Sequence, residues 1–563
     1  MKRKLTQTAI ISLIMLFFSG NSLLAQGKDT ITVTGTGTNG GIMPGDLYKF
    51  INSDTLANGQ RTNPNRFYRL ERGKVYVVSG SMFFRYNVNL IADDDNPNSP
   101  TRPPMLVNGK LTDGSNNQTL IALMKNNTSF LFKNIFFQGV TTDKREEDDN
   151  NAISIAGDSI RLTVDKCVFN ALGANCIIMW GKGNNLFIKN NHFRNLVRAN
   201  PFKGQLIVNS GNLFQDSIQI TNNTSFNNNS YFWGSITAVI KYERIEHNTL
   251  FSSVVNVFYS PWMVNSEVKS NLFYGMLSYG QKQTEIDGGW YDFNKSLSSI
   301  ISINKTSAYQ IGLHGFTEKG RKVTVSNNNY FWPQAIKDNW SAQSLIASDL
   351  WMNTRTAGYF ADKTNYPYLS ESNNVSVDPG FNAAMEKTVM DSLIYWVNNM
   401  RNNNLSTYRN YNVGSTNLLF PTWPLPENLA YTNTQLMTAG HDGLPVGDLN
   451  WFPEAKKKWD EMNALGTGVE AQMQLDKPNL KLYNYPNPTS QFTSFSFNLA
   501  VSGNTVLRIF NLLGKQVATI VDTKLEKGNH TYEFDSGSLP SGVYLCQLKS
   551  GNLSVQSKMI VTK

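Results

Sequence analysis

The sequence predicts an all-β chain: a β-solenoid, a short partly helical segment, and a small antiparallel β-sandwich at the end. Three observations carry this expectation. A short pattern recurs through the middle of the chain, mostly at steps of 23 to 33 residues. Alternating short strands fill roughly the last 85 residues. The composition, 40% hydrophobic but only 17% charged, leaves much of the surface to Asn, Ser, Thr and Gly, which suits turns and stacked strands better than long helices.

The first element is an export signal. Lys2-Arg3-Lys4 precedes an apolar stretch of ten residues, Ala9 to Phe18, and small and polar residues lead to Ala25 before Gln26. Charge, short apolar run and small residue in that order predict a signal peptide over residues 1–25. The run is too short to span a bilayer, and no later segment is apolar enough, so no transmembrane segment is expected in the mature chain. The formal charge is +9; removing Lys2, Arg3 and Lys4 leaves about +6, without a dense basic stretch, which argues against a nucleic-acid partner. Three cysteines, Cys167, Cys176 and Cys546, make no disulfide framework and have no metal-ligand spacing.

The second element is the repeat. An aliphatic residue, two further residues, Asn, one residue and a bulky apolar residue follow one another. The copies are Leu131/Asn134/Phe136, Val164/Cys167/Phe169, Ile188/Asn191/Phe193, Ile220/Asn223 with Phe226, Ile245/Asn248 with Leu250, Val268/Asn271/Phe273 and Val325/Asn328/Tyr330. The fourth positions are 33, 24, 32, 25, 23 and 57 residues apart, and the last step fits two coils. Such a step, built of strands and turns, is one coil of a solenoid. The apolar residues face inward, and the Asn amides stack at a turn about 4.8 Å apart. Cys167 takes one Asn slot and reads as a buried thiol. Asn134, Cys167, Asn191, Asn223, Asn248 and Asn271 are expected to form one internal column.

This strand, Asn-turn, strand pattern resembles the right-handed parallel β-helices of the pectate-lyase-like superfamily over residues 65–381. Gly45 to Ser53 places Leu47, Phe50 and Ile51 at helical spacing, suited to capping the first coil. Arg69 to Val78 looks like the opening strands of that superfamily, and Val375 to Phe381 like a final coil. The β-helix with its capping region is assigned to residues 26–381. A non-repeating segment, 382–470, is expected to pack on it; Val389, Leu393, Val397 and Met400 fit one helical face there. A linker spans residues 471–478.

The last element, 479–563, carries turn-separated strands such as Val506 to Phe510 and Val543 to Leu548. Tyr485-Pro486-Asn487-Pro488, then Leu507 to Val517, then Gly528-Asn529-His530 with Phe534-Asp535, then Leu539 to Tyr544, then Ser557-Lys558-Met559, resemble the type A sorting domain of Bacteroidetes type IX secretion substrates. The resemblance implies the type IX machinery as a partner, and a secreted or cell-surface address. It implies no chemistry.

The resemblance to pectate-lyase-like proteins implies a polysaccharide cleft over the first of three sheets, bounded by insertions that precede the first strand of a coil. Phe137 to Asn150 and Arg194 to Lys203 are the long insertions. An acidic glycan would be cleaved by β-elimination: a base removes the proton beside a uronate carboxyl group while a cation such as Ca²⁺ stabilises the enolate. Arg198 and Lys203 are the candidate bases. Glu146, Glu147, Asp148 and Asp149 are candidate Ca²⁺ ligands. Trp180, Lys182, Arg194, Trp233 and Tyr259 are candidate substrate contacts. Each has a structural alternative: an acidic run is also a solvated loop, and Arg and Lys are common surface charges. A noncatalytic glycan-binding or adhesive surface protein is the second reading.

Overall fold

In a computed structural model, residues 29–463 and 482–562 are described, less 35–40, 43–45, 94–100, 144–148, 405–409, 512–514 and a few shorter gaps. The expected signal peptide and linker lie outside the described residues, as do Lys144 to Asp148. Two compact units emerge, residues 1–456 and 457–563.

The first unit is a parallel β-helix. Among the described residues, three parallel sheets run along it, of seven, eleven and ten strands. One coil shows the order: Asn175–Met179 in the first sheet, Asn185–Lys189 in the second and His192–Arg194 in the third. The next coil repeats it with Gln205–Asn209, Ser217–Thr221 and Thr224–Asn228. Inward residues such as Ile177, Leu186, Ile188 and Phe193 are fully buried and stack coil on coil. Phe137, Phe169 and Phe193 stack face to face with ring centres 4.7 and 4.9 Å apart, the strand spacing. The helix Asp46–Ser53 buries Leu47 and Ile51, while Phe50 stays 39% exposed.

The Asn column forms at the turn between the second and third sheets. Asn191 Nδ2 donates to Asn223 Oδ1 at 2.9 Å, and the contact recurs from Asn223 to Asn248, Asn248 to Asn271, Asn271 to Asn328 and Asn328 to Asn374. Each amide also caps a strand carbonyl of the preceding coil, as Asn223 Nδ2 does on Ile188 O at 2.9 Å. These buried groups are thus satisfied without water. The divergent step of 57 residues, Asn271 to Asn328, is bridged directly, so the intervening residues form an insertion and not a missing rung.

The column corrects the sequence register at its first copy. Lys133 pairs with Asp165 and Phe136 with Val168, so Ile135, and not Asn134, lies opposite Cys167. Asn134 has φ +57° and shares its turn position with Lys166, Asn190, Asn222 and His247, all at positive φ. Two adjacent turn positions favour Asn for different reasons: one needs a left-handed backbone, the other a buried amide. All three cysteines are free and buried, and burial pushes the Cys167 thiol up.

The non-repeating segment covers the outside of the third sheet. The helix Ala383–Arg401 buries Met385, Val389, Leu393, Trp396, Val397 and Met400. Beyond it, Leu418 and Leu419 accept bonds from Gln138 Nε2, at 3.2 and 2.9 Å, and Leu419 packs on Phe136 and Val168.

The second unit holds two antiparallel sheets. Leu482–Tyr485, Phe492–Leu499 and Gly528–Asp535 form one; Gly503–Asn511, Gln516–Leu525, Gly542–Ser550 and Leu553–Val561 form the other. Phe495, Leu507, Ile509, Cys546, Leu548 and Met559 make its core. Asn487, in the first motif block, holds the last strand: its Nδ2 donates to Lys558 O, and its Oδ1 accepts from Ile560 N.

Candidate functional site

The three sheets differ in what lies outside them. The third is covered by residues of the 382–452 segment, as Arg194 and Thr224 illustrate below. The first carries no such cover at Trp180 and Phe83, which are 50% and 42% exposed.

Two outward columns run along the first sheet. Thr119, Asn151, Asn175 and Gln205 are in register at one edge. Asn175 Nδ2 donates to Asn151 Oδ1 at 2.8 Å, and Gln205 Nε2 to Phe202 O at 2.8 Å. Phe83, Ala122, Ser154, Ile178, Val208, Gly234 and Tyr259 form the second column. Tyr259 stacks on Tyr231 with ring centres 5.0 Å apart, and burial raises both phenols. Trp180 stands at the opposite edge, in the turn that leaves the strand Asn175–Met179. That turn is pressed between its neighbours: a Cβ on Gly181 would lie 2.0 Å from Gly157 O, and one on Gly211 2.6 Å from Trp180 O. Only glycine permits that approach.

The candidate residues divide. Trp180 and Lys182 are exposed side by side at the turn, and the Lys182 amide donates to Asp158 Oδ1 at 2.9 Å. Lys203 ion-pairs with Asp149 where the chain enters the first sheet. Tyr259 lies half-buried on the outer column. Glu146, Glu147 and Asp148, three of the candidate Ca²⁺ ligands, lie outside the described residues.

Arg194, Arg198 and Trp233 are placed elsewhere. Arg194 ends a strand of the third sheet and is fully buried. Its Nε and Nη2 hold both oxygens of Glu427 at 2.6 and 3.1 Å, and Nη1 donates to Asn170 Oδ1 at 2.9 Å. His192 Nε2 meets the same carboxylate at 2.9 Å. Burial works against ionisation of Glu427, but Arg194 and His192 prevail and hold its pKa at about 2. Arg198 is also fully buried and donates to Val197 O and Ala171 O at 2.6 and 2.7 Å. A guanidinium spent on carbonyls inside the loop cannot meet a polymer, so the expectations that Arg198 is a base and Arg194 a substrate contact are corrected. Trp233 points inward: its Nε1 donates to Glu243 Oε1 at 2.8 Å inside the coil, where burial raises the glutamate.

Sequence reasoning missed Phe83, and also Asn151, Asn175 and Gln205, whose signal was available: a side-chain amide opens the first strand of three successive coils.

Residues 484–562 match the secretion system C-terminal sorting domain family. The sorting domain marks the protein for export through type IX secretion, to the cell surface or beyond. No curated protein matches the chain. Among the described residues, no helix is long and apolar enough to cross a membrane.

Proposed function

We propose that the β-helix is a glycan-binding module of a secreted or cell-surface protein, with the first sheet as its binding face. The carrying observation is the in-register edge where half-buried Asn151 and Gln205 flank the buried Asn175, across the sheet from the exposed Trp180. A polysaccharide offers hydroxyls and apolar ring faces. The side chains of Asn151 and Gln205, two strands apart, serve the first, and an indole serves the second through dispersion and dehydration. Lys182, exposed beside Trp180, favours a polymer that carries carboxylates. Of the two candidate bases, Arg198 is buried and Lys203 is held by Asp149, which favours binding over cleavage.

The test is a panel of pectins, alginates, glycosaminoglycans and neutral glycans, with Ca²⁺ supplied, read by retention and by the absorbance of unsaturated products. Retention without new absorbance is expected. Steady growth of absorbance that stops on Lys203→Ala would establish the lyase reading instead. Retention of no glycan would overturn both.

A further inference from the structure

Away from the first sheet, four potential ligand side chains meet where the 382–452 segment crosses the turn between the second and third sheets. Glu246 and His247 come from the β-helix, and His441 and Asp442 from a tight turn almost 200 residues later. One ligand atom from each lies within 4.8 Å of all the others. We propose that this cluster is a structural site for a first-row divalent metal ion, Zn²⁺ foremost, that clamps the covering segment to the β-helix.

The orientation of each side chain carries the inference. His441 Nδ1 is hydrogen-bonded to Ser270 Oγ at 2.9 Å, which leaves Nε2 facing Glu246. His247 Nδ1 lies 3.3 Å from Gly447 O, and its Nε2 faces Asp442 Oδ2 at 3.0 Å. Arg244 engages Glu246 Oε2, so Oε1 is the oxygen turned toward His441. The Leu444 amide donates to Asp442 Oδ1 at 3.1 Å, so Oδ2 is the one turned toward His247. Every ligand therefore has one polar atom anchored outside the cluster and the other directed into it. That is the outer-shell arrangement that fixes imidazole tautomers and carboxylate orientation around a metal.

The spacing agrees. A tetrahedral Zn²⁺ with N and O ligands places its donors about 3.3 Å apart. Two of the separations stand at 3.0 Å, His247 to Asp442, and 3.4 Å, His441 to Glu246. Two imidazoles with two carboxylates suit a borderline cation better than Ca²⁺, which prefers oxygen alone. The backbone is built to hold the turn: Gly440 N donates to Leu444 O at 2.9 Å, and Gly443 takes φ +76°. Gly447, whose carbonyl faces His247, takes φ +93°, and a Cβ there would lie 2.5 Å from Thr249 Oγ1.

The site has an entrance and a purpose. The His441 side chain is 31% exposed while those of Glu246, His247 and Asp442 are 4%, 0% and 7%. An ion can therefore enter beside His441 and finish against buried ligands. With every cysteine free, no disulfide ties the covering segment down, and a metal bond would supply the missing cross-link.

The experiment titrates chelator-treated full-length protein with Zn²⁺ by calorimetry at neutral pH, and with Co²⁺ by visible absorption. One equivalent is expected, with a Co²⁺ spectrum of four-coordinate intensity and a higher unfolding temperature. His441→Ala should weaken binding on the order of 100-fold, and Ser270→Ala about tenfold through loss of the imidazole's anchor. If either variant fails to fold, the stoichiometry and Co²⁺ spectrum of the parent decide. No saturable uptake by the parent, a six-coordinate Co²⁺ spectrum, or unchanged affinity in a folded His441→Ala would overturn the proposal and leave plain histidine–carboxylate pairs.

Discussion

The third sheet and the first sheet of this β-helix are built from the same coils but handle polarity in opposite ways. On the third sheet outward side chains such as Arg194 and Thr224 are sealed by described residues of the 382–452 segment, among them Glu427, Asp448 and Trp451. Arg194 and Glu427 form a buried bidentate pair, Thr224 donates to Asp448 Oδ2 at 2.7 Å, and Trp451 Nε1 donates to Thr224 Oγ1 at 2.8 Å. On the first sheet the outward side chains are mostly neutral; Ala122, Asn175, Ile178 and Val208 are buried, while Phe83 and Trp180 meet solvent. Charge on the covered sheet is thus a device of assembly, while the first sheet, largely uncharged, is the face proposed to bind a polymer. A strongly basic position such as Arg194 is, in this fold, evidence of cover.

Removing charge from the covered sheet should have the largest effect. Glu427→Gln leaves Arg194 buried without its counter-charge, and a loss of about 3–5 kcal/mol of stability is expected in urea unfolding, with early proteolysis near the covering segment. A change below about 1 kcal/mol would show that the seal does not depend on this pair.

The same interface sets a pH dependence with two limbs. Glu427 titrates at about 2 when folded, against 4.5 ordinarily, so its contribution is present above pH 4.5 and is lost as pH falls toward 2. Asp448 behaves oppositely: burial lifts it from 3.8 to about 6, so the folded state binds its proton more tightly and stability falls as pH rises from 3.8 to 6. Glu427→Gln should flatten the lower limb and Asp448→Asn the upper. Unfolding midpoints measured from pH 2 to 8 check both.

The Asn column offers a smaller contrast inside the coil. Asn223→Ala strips partners from the Asn191 amide and the Ile188 carbonyl, and should cost about 3 kcal/mol. Asn134→Gly, outside the column and with its positive φ preserved, should cost about 1 kcal/mol through loss of its bond to Ala92 O. Equal losses in thermal unfolding would contradict the corrected register.

The smallest stability effect belongs to the open sheet. Trp180→Ala should leave stability within about 0.5 kcal/mol. Retention of glycan should nevertheless weaken several-fold, as loss of about 1 kcal/mol of aromatic contact implies.

The coils were legible in the sequence because a solenoid repeats its local chemistry: period, inward apolar residues and Asn turns all recur. The sorting domain was legible through motif blocks whose residues hold strands together, as Asn487 holds the last one. The slip at Asn134 came from two neighbouring turn positions that both take Asn. The site was harder to read, since exposure depends on which sheet the later segment covers. Nothing near Arg194 announces Glu427, which is 233 residues away and packs against it only once the coils exist. The same holds for His247: His441 and Asp442 reach it only with the covering segment.

The most direct test of the open sheet as the binding face is hydroxyl-radical footprinting with and without the best-retained glycan. Trp180 and Phe83 on the open sheet should lose reactivity, while Tyr395, 69% exposed on the helix Ala383–Arg401, should keep it. Protection of Tyr395 with Trp180 and Phe83 unchanged would rule out the open sheet and move the glycan to the covered side.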